Sequence, residues 1–245
     1  MNKLLTTGFL ILCSLRCFST CIVIYIADNG HIYVAADSRR SFIFNESQPG
    51  NANFDSVCKI HNVGNNYFAI AGIDDETLLK EATASLQQNY ANIDTAIKSF
   101  GTTMVKHYNH LMTDMKLYYP DKFKHFLNDG LASVSFFGFY KGKPNIVNVD
   151  FQCSLDKDGK VVSKYRIHPI YNITVIGMSR DITNAKPEEL PTAATMEQNP
   201  ELYVEDLVKI EAKKQPLAVS EPIDILELST NGPVWIRKNE SAAVY

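Results

Sequence analysis

The feature that most constrains the fold of this 245-residue chain is the order in which two hydrophobic periodicities follow one another. Short runs of β-branched and apolar residues come first, joined by tight turn signals. Residues 21–26 and 32–36 flank Asp28-Asn29-Gly30, a tripeptide suited to the positive φ angles of a hairpin turn. A second hairpin is expected over 56–61 and 67–71, bent at Gly64-Asn65-Asn66, with 41–55 as a polar loop before it. From Glu76 to about Phe126 the period becomes helical, with Leu78, Leu79 and Ala82 on one face and Ala96, Phe100, Met104 and Val105 recurring at helical spacing. Strands return over 132–140, 145–151, 161–167 and 173–176. An amphipathic helix over 200–214 and a hairpin around Asn231-Gly232 end the pattern. Segregated runs of strands and helices point to an α+β layered fold instead of a parallel βαβ sheet.

The first residues depart from this pattern. Met1-Asn2-Lys3 makes a short positive start, 4–15 are mostly apolar, and Arg16-Cys17-Phe18-Ser19 is more polar with small residues at alternate positions. A spanning helix needs about 20 apolar residues, so this layout reads as a removable secretory signal cut between Ser19 and Thr20. The expected organisation is therefore a signal peptide over 1–19 and one domain over 20–245, secreted or periplasmic, with no membrane span after signal removal. A net charge of −3 and a pI near 6.1 leave no basic stripe, which sets nucleic acid aside as a partner. Beyond the signal only Cys21, Cys58 and Cys153 remain. An odd number without CxxC spacing argues against a disulfide framework and a zinc site, and the histidines show no zinc spacing either.

Several segments are familiar in combination: Ile32-Tyr33-Val34-Ala35-Ala36-Asp37-Ser38-Arg39, then Val57-Cys58-Lys59-Ile60, then Phe68-Ala69-Ile70-Ala71-Gly72 with Asp75. The strand Ser133-Val134-Ser135-Phe136-Phe137-Gly138-Phe139-Tyr140 with Lys143-Pro144, and Pro222-Ile223-Asp224 near the end, continue the series. In this order they resemble the β-type subunits of proteasomes and their bacterial relatives, from about residue 20 to the C-terminus. The resemblance implies the four-layer αββα sandwich of the N-terminal-nucleophile (Ntn) hydrolases. It also implies a threonine- or cysteine-type protease or amidohydrolase that needs no cofactor. Its substrate would be a peptide or small amide, and it would be capable of forming a homo-oligomer.

That family's chemistry makes the first mature residue both nucleophile and base. Its side chain attacks a carbonyl while its own α-amine, which titrates near pH 8, moves the proton. A lysine ammonium lowers the nucleophile's pKa and a carboxylate holds the lysine. Carried over to matching positions, Asp37 is the carboxylate, Lys59 the lysine, and backbone N–H groups near Gly72 the oxyanion hole. The nucleophile stays open between two residues. Ungapped spacing of sixteen positions before Asp37 gives Cys21, whereas the signal cut and the likeness of Thr20-Cys21-Ile22-Val23 to the family's opening give Thr20. Two departures stand out: Met178 follows Gly177 where the family has serine, and 216–221 lack the family's aspartate and paired glycines. Two other readings therefore stand beside the hydrolase. One is a catalytically inactive relative serving as a binding or structural subunit, the other a secreted binding module whose Tyr and Phe side chains meet a ligand.

Overall fold

The computed structural model of the protein describes residues 16–18, 20–41, 54–74, 76–88, 93–127, 130–170, 172–216 and 218–239. The apolar run of the expected signal, the residue before the expected cut, and most of the loop before Phe54 lie outside these. Seven strands come first: β1 (Arg16–Phe18), β2 (Cys21–Ile26), β3 (Ile32–Asp37), β4 (Arg39–Ser41), β5 (Phe54–Ser56), β6 (Ile60–Val63) and β7 (Asn66–Asp74). Helices α1 (Glu76–Gln88), α2 (Ile93–Tyr118) and α3 (Pro120–Phe126) follow, then β8 (Gly130–Tyr140), β9 (Lys143–Leu155), β10 (Val161–Ile170) and β11 (Ile173–Gly177). Helices α4 (Arg180–Thr183), α5 (Ala193–Gln198) and α6 (Pro200–Lys214) precede β12 (Ile223–Ser229) and β13 (Gly232–Arg237).

Every pairing between these strands is antiparallel. An eight-stranded sheet runs β10-β9-β8-β7-β1-β4-β5, with β6 added on β7, and a five-stranded sheet runs β11-β2-β3-β12-β13. The α+β, four-layer αββα Ntn sandwich expected from the sequence is thereby corrected to a mixed α/β structure with two antiparallel sheets. The larger sheet takes in β1, β4 and β5, three short strands from segments read as signal and loop. The physical reason is that hydrophobic alternation assigns a strand its two faces and not its neighbours. A three-residue strand held only by pairing to distant chain carries no pattern of its own.

Three apolar clusters organise the molecule. In the first, β7, β8 and β9 meet α1, α2 and α3. Phe100 of α2 stands edge-on to Phe136 at 5.3 Å and to Phe151 at 5.7 Å between ring centroids. Such a fully buried ring is worth about 3–5 kcal/mol against alanine. The second cluster joins Ile22, Ile24, Val34 and Leu226 of the smaller sheet to Tyr67, Ala69 and Phe137 of the larger. The third sets Cys21, Val23, Ala35 and Ile223 against Val204, Leu207 and Val208 of α6. Strand β2 thus turns alternate residues to two different cores, which explains its unbroken apolar sequence. Among the described residues no helix is long and apolar enough to cross a membrane.

Candidate functional site

The β2–β3 hairpin determines where Asp37 falls. Its turn closes with Gly30 at φ +78°, and the register that follows sets Ile22 opposite Ala36. One step further the Asp37 carboxylate meets the start of β2, and its Oδ1 accepts the Cys21 N–H at 2.8 Å. Beyond β5, Val57 N–H donates to the Ser38 carbonyl at 2.8 Å, which anchors the next residues beside the end of β3. Lys59 then reaches Asp37 Oδ1 with its Nζ at 2.9 Å, the two side chains being 2% and 0% exposed. The four residues expected from the sequence therefore converge. Thr20 stands just before β2, Cys21 opens it, and Asp37 and Lys59 form a buried ion pair against them.

The electrostatics of this node separate the two candidate nucleophiles. Burial pushes the Lys59 ammonium below its ordinary pKa, and Asp37 offsets part of that shift. Burial pushes the Cys21 thiol well above its ordinary value. The charges of Asp37 and Glu211 add to this, against a smaller opposing effect of Lys59. A thiol there is held away from the reactive thiolate. Thr20 is fully buried as well, and its Oγ1 has no hydrogen-bond partner among the described residues. An unpaired buried hydroxyl carries a penalty of about 1–3 kcal/mol, so its retention needs a reason.

The backbone of Thr20 is held from the far side. Met178 N–H donates to the Thr20 carbonyl at 2.6 Å, just after β11 places Gly177 opposite Cys21. Gly177 has φ +84°, and a Cβ there would lie 2.0 Å from the Thr20 oxygen, so only glycine fits. A main-chain donor therefore stands at the position where the resembled family has serine. Gly72, the expected oxyanion-hole neighbour, has φ +107° and lies between two strands, opposite Ala132 of β8 and Phe18 of β1.

Two buried carboxylates at this node, Asp224 and Glu211, have no role assigned from the sequence. Asp224 accepts the Ser38 hydroxyl at 3.2 Å and the Asn239 N–H at 2.6 Å, and burial raises its pKa. Glu211 on α6 is fully buried, and burial raises its pKa too. A signal for Glu211 existed, since it follows Val204, Leu207 and Val208 at helical spacing and so falls on the core-facing stripe. A cleft of about 1420 Å³ lies between α1, β6 and the β12–β13 hairpin. Lys59, Tyr67, Leu79 and Trp235 help to line it, while Thr20, Cys21 and Asp37 do not. Among the described residues no group of three or more His, Cys, Asp or Glu side chains comes together as a metal site. Compared with models of known protein families and with curated proteins, the chain matches none.

Proposed function

We propose that the chain is an exported amidohydrolase acting on peptides, with the Thr20 hydroxyl as nucleophile and the α-amine of Thr20 as base once the residues before it are removed. The observation that carries this reading is the buried Asp37–Lys59 pair at the start of β2, beside a buried threonine hydroxyl without a hydrogen-bond partner among the described residues. A lysine in a dry site favours a neighbouring oxygen anion far more than one in water does. The α-amine takes the Thr20 proton as Oγ1 bonds to the substrate carbonyl carbon, and returns it to the departing amine. Water then cleaves the resulting ester and regenerates Thr20. Cys21 is set aside as nucleophile because burial and two carboxylates keep its thiol protonated.

The pairing of β1 supports a peptide substrate. Arg16, Cys17 and Phe18 lie antiparallel to Asp74, Ile73 and Gly72, while Cys17 also faces Ser41 of β4. Loss of the residues before Thr20 would vacate a strand position between β7 and β4, ending at the nucleophile. An extended peptide would fill it by main-chain hydrogen bonds. Export rests on the charged start and apolar run of residues 1–15.

A second reading, an inactive binding or structural subunit, is favoured by one observation: Met178 stands where the resembled family has serine, and 216–221 bring no aspartate to position an amine. Intact mass and N-terminal sequencing of the protein from an exporting host test both. A chain beginning at Thr20 that gains the mass of one peptide electrophile, lost on Thr20→Ala, is expected. A chain that keeps residues before Thr20, or resists the electrophile, overturns the hydrolase in favour of the subunit.

A further inference from the structure

Glu211 is an acid in a place that disfavours acids. It shares the inner face of α6 with Val204, Leu207 and Val208 and is fully buried. A carboxylate is withdrawn from water at a high cost unless its oxygens are bonded. Its Oε1 accepts the N–H groups of Asp181 at 2.7 Å and Ile182 at 3.0 Å, while Oε2 is without a hydrogen-bond partner among the described residues. One turn on, Gln215 Nε2 donates to Asp181 Oδ2 at 3.0 Å. Glu211 of helix α6 and Gln215 just past its end therefore grip α4 by two side chains.

Only Arg180 separates the gripped residues from Gly177-Met178-Ser179. Met178 N–H is bonded to the Thr20 carbonyl at 2.6 Å, and Gly177 lies so close to that carbonyl that no side chain fits between them. The route from Glu211 to Thr20 is thus short: hydrogen bonds from Asp181 and Ile182 to the carboxylate, the two backbone residues Ser179 and Arg180, and the hydrogen bond from Met178 to Thr20. Strand pairing holds Cys21 through β11 and its N–H is taken by the Asp37 side chain, but Thr20 lies just before β2 and outside its ladders. The Thr20–Cys21 peptide is held at its N–H by Asp37 and at its carbonyl by Met178.

We propose that Glu211 is a positioning residue for Thr20, bracing the 177–182 segment so that the Met178 N–H holds the nucleophile's backbone in register with the Asp37–Lys59 pair. The inference rests on the hydrolase reading above for its catalytic consequence. A glutamine preserves the acceptor oxygen that makes both backbone bonds, so shape and acceptor matter here more than charge. Reach to substrate is not involved, which predicts an effect on turnover and not on substrate affinity.

The test uses the mature protein and its Glu211→Ala and Glu211→Gln variants. Two readouts are taken: residue-resolved amide hydrogen exchange at Met178, and kcat and KM on a chromogenic peptide amide. Glu211→Ala is expected to speed exchange at Met178 by about tenfold or more and to lower kcat by about 100-fold with KM nearly unchanged. Glu211→Gln is expected to stay close to wild type in both. Should Glu211→Ala not fold, Gln215→Ala removes the second grip alone and is expected to move both readouts in the same direction by smaller factors. Unchanged exchange at Met178, with only Asp181 and Ile182 accelerated, overturns the brace. Faster exchange with an unchanged kcat overturns its catalytic role. A wild-type protein that turns over nothing defeats the hydrolase reading, and exchange at Met178 then still decides the brace.

Discussion

Replacing Lys59 by methionine tests the physical core of the site. The two chains are nearly equal in volume, so packing is preserved while the ammonium is lost. In the wild type Lys59 Nζ lies 2.9 Å from Asp37 Oδ1 and neither side chain meets solvent to any useful extent. Removing one partner of a buried pair leaves the other charge in a medium that solvates it poorly, at a cost of about 3–5 kcal/mol. For a chain of this size that corresponds to a melting temperature lowered by roughly 6–20 °C. The companion change Asp37→Asn keeps an oxygen for the Cys21 N–H bond but discards the charge. Combined with Lys59→Met it leaves a neutral node, so the double variant should be less damaged than the two single losses predict. Urea unfolding of all four proteins is the assay. A coupling of about 2 kcal/mol or more is expected, and additivity within about 0.5 kcal/mol would refute the claim that the pair is buried. Activity toward the peptide amide should be lost in all three variants, including the double one that regains stability.

Three further outcomes follow from named contacts. Gly177→Ala forces a methyl group to within 2.0 Å of the Thr20 oxygen at a positive φ, so it should destabilise by about 3 kcal/mol or more, read as a lowered urea midpoint. Thr20→Ala should abolish labelling by a peptide electrophile while Cys21→Ala leaves it intact; the reverse pattern would make Cys21 the nucleophile. His61 is stacked on Phe68 at 4.9 Å, and burial pushes its pKa down from 6.5 to about 4. Because the folded value lies below the unfolded one, its contribution is complete above about pH 6.5 and is lost as pH falls toward 4. The loss is roughly 2–3 kcal/mol, and His61→Phe should flatten that part of the stability curve measured by urea unfolding at pH 7 and pH 4.5.

Local chemistry made much of the secondary structure legible, and non-local pairing hid the rest. Asn29-Gly30 and Asn231-Gly232 mark turns because few other residues accept their backbone angles, and both hairpins stand where those pairs occur. The helix expected over 200–214 is α6 to the residue, with proline at its first position and lysines in its last turn. The hairpin expected over 56–61 and 67–71 is shifted, since β5 ends at Ser56 and β6 begins only at Ile60. Between them, 57–59 leave the sheet to bring in Lys59. The neighbour order of β1, β4 and β5 was illegible because three-residue strands have no period to read. At the site, likeness of their flanking segments singles out Asp37 and Lys59, which the structure pairs. Glu211 is not singled out, because an acid on an amphipathic helix is ordinarily solvated and only its phase against Val204 and Val208 betrays it. Asp224 was masked because its strand also carries Glu227, and nothing in the pattern separates the two acids.

The bonds made by Asp224 have a topological meaning. Asp37 holds the N–H of Cys21, its neighbour Ser38 bonds to Asp224, and Asp224 holds the N–H of Asn239. The beginning of the expected mature chain and the last described residues are thus tied through three adjacent links. A polypeptide joined head to tail across that junction, and reopened at the exposed Asp158-Gly159 turn, would keep its strands in their present order. It would differ in one respect, having an ordinary amide where Thr20 otherwise carries a free amine. Such a permuted chain separates what the architecture requires from what the chemistry requires.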